Sequence, residues 1–145
     1  MASMSKATTT TPRSVKWLRD RGYCVANVEQ WLTFPERKFG KPTGKTIRIR
    51  KDCFGFCDLA ACHPEENGTL YVQTTTRANQ SARRNKILLS PDAATLLRAK
   101  NRIHVHGWAQ MGGSGRRKLW EVSIWEARLE HGKVNFYPLF DEENF

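Results

Sequence analysis

The amino-acid sequence predicts an α/β fold, and three observations carry that prediction. Residues 54–76 (FGFCDLAACHPEENGTLYVQTTT) place Phe, Leu, Val and Tyr on either side of a His-Pro-Glu-Glu-Asn-Gly turn, which reads as two successive strands. Helix-start signals stand on both sides of that pair, at Thr11-Pro12, Asn79 and Ser90-Pro91. Residues 102–110 and 119–129 alternate apolar and polar side chains, the period of a strand with one buried face. A length of 145 residues suits one domain with its own core and leaves no room for a second catalytic domain.

In chain order, residues 1–10 (MASMSKATTT) are small, polar and aperiodic, and predict a flexible tail ahead of one domain over 11–145. Thr11 as N-cap and Pro12 at the first helical position open a helix with Val15, Leu18 and Trp17 as its buried stripe, and Gly22 closes it. Residues 23–31, with Val25, Val28 and aromatic ends, form a candidate first strand that carries Glu29. Residues 33–46 are rich in Pro, Gly and Lys and predict a mobile basic loop. Its GKPTGKT comes near a phosphate-binding P-loop but fails it. Gly40 and Gly44 are separated by three residues where four are needed, no apolar strand precedes them, and the following IRIR alternates like a strand. Ile47 and Ile49 against Arg48 and Arg50 give that strand one basic face, which suits a phosphate backbone or simply solvent.

Beyond the central pair, Asn79 caps a helix running to about Leu89, with Arg83 and Lys86 three apart on one side. Ser90-Pro91-Asp92 starts another, with Ala94, Leu96 and Leu97 as apolar positions. In the next strand Ile103 and Val105 face one way and His104 and His106 the other; such histidines are either structural or able to bond phosphate and shuttle protons. MGGSGRRK reads as a hairpin loop with a basic tip, and 119–129 as a long strand turning Trp120, Val122 and Ile124 to the core. Residues 133–137 pair with it, the tail residues Phe136, Tyr137, Leu139 and Phe140 pack on the core or meet a second copy, and the acidic end DEENF frays.

The 24 Lys and Arg against 14 Asp and Glu give a formal charge of +10, which favours an anionic partner, nucleic acid foremost. No apolar run approaches the roughly 18 residues of a membrane span. Nothing resembles a signal peptide, so the chain reads as cytoplasmic, within the host cell if viral. Disulfides among Cys24, Cys53, Cys57 and Cys62 are disfavoured in such a compartment. Cys53, Cys57, Cys62 and His63 match zinc in number but lack the C-x₂-C knuckle, so small buried thiols are expected. Most aromatic residues sit in alternating runs and read as core, leaving Trp31, Phe34 and Phe39 beside the basic loop as candidates to stack on bases.

Side chains alternate across a strand, so Phe56, Asp58 and Ala60 share one side and Tyr71, Gln73 and Thr75 share one side of the next. Where those sides coincide, Asp58 meets Gln73. An acid and a carbonyl oxygen so placed suit a hard cation such as Mg²⁺, or they satisfy each other by hydrogen bonding.

GFCDLAA is similar to a Gly-x-x-Asp-apolar signature, and Gln73-Thr74-Thr75 stands in the place of a Glu-x-Lys motif. With the order helix, strand, acid-bearing strand, polar-x-polar strand, helix, strand, the chain resembles the restriction-endonuclease-like PD-(D/E)XK nucleases. Within them it is similar to the archaeal-type Holliday junction resolvases and their phage relatives, over residues 12–110. The resemblance implies a mixed central sheet flanked by helices and a bound Mg²⁺ or Mn²⁺. It makes Asp58 the metal-binding acid, Gln73 the second ligand, and Glu29 or Asp52 the additional carboxylate, with Glu29 preferred. Thr75 takes the place of the motif lysine, where a hydroxyl offers only hydrogen bonds. A substitute cation would come from Lys86 or Arg83 on the next helix, or from Lys51. Asp58, Gln73, Thr75 and Lys86 are thus the implied catalytic positions, and Arg48, Arg50, Lys51, Arg77, Arg83 and His104 the implied contacts to nucleic acid.

The activity implied is that of a metal-dependent endodeoxyribonuclease, a homodimer acting on phosphodiester bonds of branched or duplex DNA. A non-catalytic DNA-binding module on the same fold is the alternative, because Gln for Glu and Thr for Lys each remove a charge.

Overall fold

The computed structural model describes residues 6–112 and 118–139. Its elements run α1 (Lys6–Asp20), β1 (Cys24–Asn27), β2 (Gln30–Lys38), β3 (Lys41–Lys51), β4 (Leu59–Cys62), β5 (Leu70–Thr76), α2 (Gln80–Leu88), α3 (Pro91–Arg98), β6 (Arg102–Met111), β7 (Leu119–Glu130) and β8 (Lys133–Leu139). Six strands form one sheet in the order β1-β4-β5-β6-β7-β8, and β2 with β3 forms a separate ribbon. Within the six-stranded sheet β5 and β6 are parallel and every other pairing is antiparallel. The parallel pair is joined through α2 and α3, as a parallel connection requires. The chain is therefore α/β with a mixed sheet. Among the described residues no helix is long and apolar enough to cross a membrane.

The helices lie on opposite faces. Leu18 of α1 packs on Leu59, Ala61, Leu70 and Val72. Ile87 of α2, with Ala93 and Leu96 of α3, packs on Phe56, Ile103, Val105 and Ala127. Neighbouring residues of β5 and β6 thus feed two separate clusters, the arrangement strand alternation dictates.

Several sequence expectations need correction. Helix α1 begins at Lys6, so Thr11 and Pro12 lie inside it instead of at its start. Thr10, Ser14 and Leu18 are all buried at helical spacing, which carries the inward stripe back past the expected cap at Thr11. Of the expected tail, residues 6–10 are helical and 1–5 lie outside the described residues. Gly22 does end the helix. Its φ of +91° lets Tyr23 N–H return to Leu18 O at 3.1 Å, with Gly22 N–H on Arg19 O at 3.1 Å.

The expected first strand over 23–31 is two strands belonging to different sheets. β1 pairs with β4, after which Val28 N–H bonds Asp58 O at 2.9 Å and the chain leaves the sheet. The expected mobile loop over 33–46 is most of the β2–β3 ribbon. Phe39 and Gly40 both take positive φ, 54° and 76°, and form the two-residue turn that Lys38 and Lys41 close. Pro35 and Pro42 hid this from the sequence, yet in a two-stranded ribbon a missing N–H can face outward at little cost.

The acid-bearing strand is also shorter than expected. Cys53 and Cys57 exchange two backbone hydrogen bonds of 2.9 Å around a turn with Phe54 and Gly55 at φ 55° and 78°, and β4 begins only at Leu59. Trp120, expected in the core, is largely exposed, and Arg13 stacks on its ring at 3.7 Å. Phe136 packs on the core, while Phe140, the tip of the expected basic loop (113–117) and the acidic end lie outside the described residues.

Candidate functional site

Asp58 sits at the entrance to β4, 1 % exposed, and the β4–β5 register continues to set it opposite Gln73. Gln73 Nε2 donates to Asp58 Oδ2 at 2.8 Å, and Thr74 adds its N–H at 2.8 Å and its hydroxyl at 3.1 Å to the same oxygen. One carboxylate oxygen thus accepts three bonds. The other, Asp58 Oδ1, is buried without a hydrogen-bond partner among the described residues, and so is Gln73 Oε1.

Two further acids close on this point. Glu29 precedes β2 and Asp52 follows β3, so the root of the ribbon delivers both. Ligand oxygens of Glu29, Asp52 and Asp58 all lie within 4.8 Å of one another, and Asp52 Oδ1 likewise lacks a hydrogen-bond partner. Arg50 faces the cluster, its Nε 3.6 Å from Glu29 Oε2 and 3.8 Å from Asp52 Oδ1. Burial first, then the charges of Asp52 and Glu29 and the close approach of the Asp52 carboxyl, which favours a shared proton, push Asp58 up to about 7, while the Thr74 N–H pulls the other way. Buried unpaired oxygens cost free energy. Three clustered carboxylates, with Gln73 hydrogen-bonded to one of them, could hold a hard divalent cation.

The expected site residues divide into those brought together and those left apart. Glu29, Asp58 and Gln73 converge, and Asp52, the other candidate carboxylate, converges with them. Thr75 is buried beside Gly107, on the strand face that Gln73 occupies. Lys86 is exposed and Arg83 half-buried on α2, and among the described residues neither they nor Lys51 forms an ion pair with the acids. The cation at the cluster is Arg50, expected from the sequence as a phosphate contact. Its signal was its place two residues before Asp52, at a strand end.

The remaining expected contacts are dispersed. Arg48 stacks on Trp31 at 4.3 Å. Arg77 Nη1 reaches Met111 Sδ at 3.3 Å. His104 is buried on the α1 side, its Nε2 3.0 Å from Glu126 Oε2. His106, fully buried beside it, shares a 2.9 Å hydrogen bond with Ser14 Oγ, and burial holds its pKa well below the usual imidazole value. His63, counted among possible zinc ligands, has Nε2 3.1 Å from Arg21 O and accepts Glu65 N–H on Nδ1 at 3.1 Å.

Fold and site together define an α/β protein with a mixed sheet and an oxygen-rich acidic cluster where a basic ribbon leaves the body. No protein-family model, curated protein or solved structure matches this chain.

Proposed function

We propose that the chain is a restriction-endonuclease-like, metal-dependent endodeoxyribonuclease that hydrolyses phosphodiester bonds in branched or duplex DNA. The observation that carries this reading is the convergence of Glu29, Asp52 and Asp58, with Asp58 Oδ1 and Asp52 Oδ1 buried and without a hydrogen-bond partner among the described residues. Two further acids stand around the buried Asp58 carboxylate and Arg50 alone is paired with them among the described residues, so the cluster keeps negative charge that a cation would offset.

Asp58, Glu29 and Gln73, with Asp52, would hold Mg²⁺ or Mn²⁺, which when bound polarises a phosphate oxygen and acidifies water. The chain's own groups do the rest. Thr74 fixes the Asp58 carboxylate through two hydrogen bonds, so its free oxygen keeps one direction. Arg50, beside Glu29 and Asp52, would offset negative charge developing on the phosphate, the role that Thr75 cannot fill. Cutting both strands of a symmetric substrate calls for two sites related by a two-fold axis, hence a homodimer. Acting on DNA would set the protein inside a cell, the host cell if it is viral.

A non-catalytic DNA-binding module is the second reading. It is favoured by the Gln73–Asp58 hydrogen bond, which satisfies part of the site internally, and by the neutral Thr75. One experiment separates the two. With Mg²⁺ or Mn²⁺, the parent should cut four-way junction, flap or duplex DNA and stop with EDTA. Asp58→Ala should lose at least about a hundredfold in rate, the scale set by removing electrostatic stabilisation of a transition state. The variant should still bind DNA and sediment on it as two protomers. A parent that binds without cutting supports the module instead, and a variant that cuts as fast as the parent removes Asp58 from the site.

A further inference from the structure

Between Glu29 and Asp52 the ribbon of β2 and β3 stands apart. Among the described residues its strands pair with each other alone and make no extensive packing on another element. Residues 30–51 hold seven of the chain's 24 Lys and Arg and a single acid, Glu36, which Thr43 Oγ1 engages at 3.0 Å.

Residues paired across an antiparallel ribbon share a face. Leu32 with Ile49 and Phe34 with Ile47 make the middle of one face apolar, with Gln30 and Lys51 ending it at the root. Trp31 with Arg50 and Thr33 with Arg48 make the other cationic, and the same alternation continues that face into Glu29 and Asp52 at the root.

At the far end Phe39 is fully exposed (103 %), between Lys38 and Lys41, with φ at +54°. A two-residue turn of this kind favours Asn-Gly or Asp-Gly, because both positions need positive φ. A bulky aromatic there is strained, touches no core, and breaks the local rule with no gain in folding. Its gain lies elsewhere.

We propose that the ribbon is a nucleic-acid arm whose tip, Phe39, stacks on a base freed from its stack, so that the arm selects DNA with a branch, flap or nick over intact duplex. Lysines flanking an aromatic supply what a strand interruption offers: phosphates to neutralise and an open π-face. In continuous duplex each base is already stacked, and inserting a side chain costs the unstacking of a step. The cationic face then leads the bound strand down to Arg50 and the acids. Only this last step rests on the nuclease reading.

The test is fluorescence anisotropy in EDTA, so that cutting plays no part, with labelled flap and four-way junction DNA against linear duplex of equal length. Phe39→Asn removes the ring while giving the turn its preferred Asn-Gly, so the ribbon itself is not weakened. The parent should prefer flap and junction. Phe39→Asn should bind them roughly tenfold more weakly and linear duplex unchanged, the size of one lost base–aromatic stack. Phe39→Trp should keep the preference. Equal binding by parent and Phe39→Asn overturns the proposal, as does a parent with no preference. A change in oligomeric state on Phe39→Asn without DNA makes the tip a contact between copies and also overturns it. Ring-dependent binding in a chain that never cuts upholds the arm and sinks the nuclease, whereas cutting without ring dependence does the reverse.

Discussion

Asp58 is the residue on which the site turns, and its environment sets a sign for the pH dependence of stability. Its carboxyl is pushed up to about 7, chiefly by burial. An unfolded Asp titrates near 3.9. Between about pH 4 and 7 the unfolded chain has therefore released a proton that the folded chain still holds. The unfolded state binds fewer protons, so this residue's contribution to stability falls as pH rises through that window and is fully lost above it. A bound cation would favour the ionised carboxylate and reverse the loss. In EDTA, the melting temperature of the parent relative to Asp58→Asn should fall from pH 4 to pH 7.5. Millimolar Mg²⁺ should raise the parent's melting temperature most at the upper end and leave Asp58→Asn nearly unmoved. A difference that is flat in pH, or a Mg²⁺ shift equal in both proteins, contradicts the account. The Asp58–Gln73 meeting was legible because a period of two fixes which side chains share a face once two strands pair. The arrival of Arg50, expected only as a phosphate contact, was not, and Asp52 was named as a second-choice carboxylate by the resemblance alone. Their arrival depends on how the ribbon roots in the sheet, and no local pattern encodes that.

Among the elements, the junction of β5 with β6 is held by a backbone clamp that tests the register directly. Gly68 has φ +73°, and a Cβ there would fall 2.1 Å from Lys100 O, with backbone on both sides of the clash. Thr69 N–H on Asn101 Oδ1 at 3.1 Å and Arg102 N–H on Thr69 O at 2.9 Å tie the same point and start the parallel ladder. Gly68→Ala should therefore cost more than about 2 kcal/mol, in the range of substitutions with a named structural defect. Gly55→Ala, at φ +78° with nothing within 4 Å of its Cβ, should cost only about 1 kcal/mol of backbone strain. Thermal melts of the two variants check this, and equal losses would show that the Lys100 contact is not the cause. The same contrast explains which elements the sequence revealed. α3 was legible from Ser90-Pro91, where proline fixes φ in the first turn although Ser90 makes no side-chain capping bond, and β6 from the alternation of Ile103 and Val105 with His104 and His106. The ribbon was hidden because Pro35, Pro42, Gly40 and Gly44 are loop residues by composition, and their tolerance here comes from exposed edges and a turn with positive φ. The start of α1 was hidden because Thr10 and Ser14 are inward residues without apolar side chains, packed against Thr74 and His106.

At the scale of the whole molecule, the charge of +10 is unevenly placed, and its placement makes a claim about how DNA is held. Neutralising phosphates releases counterions, so log K falls with log salt by roughly 0.9 per phosphate contacted on duplex DNA. If the ribbon carries the contact, removing its charges lowers that slope. If the basic surface is merely solvated, the slope does not follow the ribbon. Arg37, Lys38 and Lys41 surround the tip and have no structural role in the core, so replacing all three by Gln should leave the melting temperature unchanged. The slope should then shrink by about 2 to 3, one phosphate contact for each cation removed. Asp58→Ala should leave the slope as it is, because an acid at the root contributes nothing to counterion release on the arm. The two variants together separate attraction from chemistry: the triple variant loses salt-sensitive affinity for every DNA alike, and Asp58→Ala loses cutting alone. An unchanged slope in the triple variant would move the DNA to another basic surface of the chain and detach the acidic cluster from the substrate it is proposed to cut.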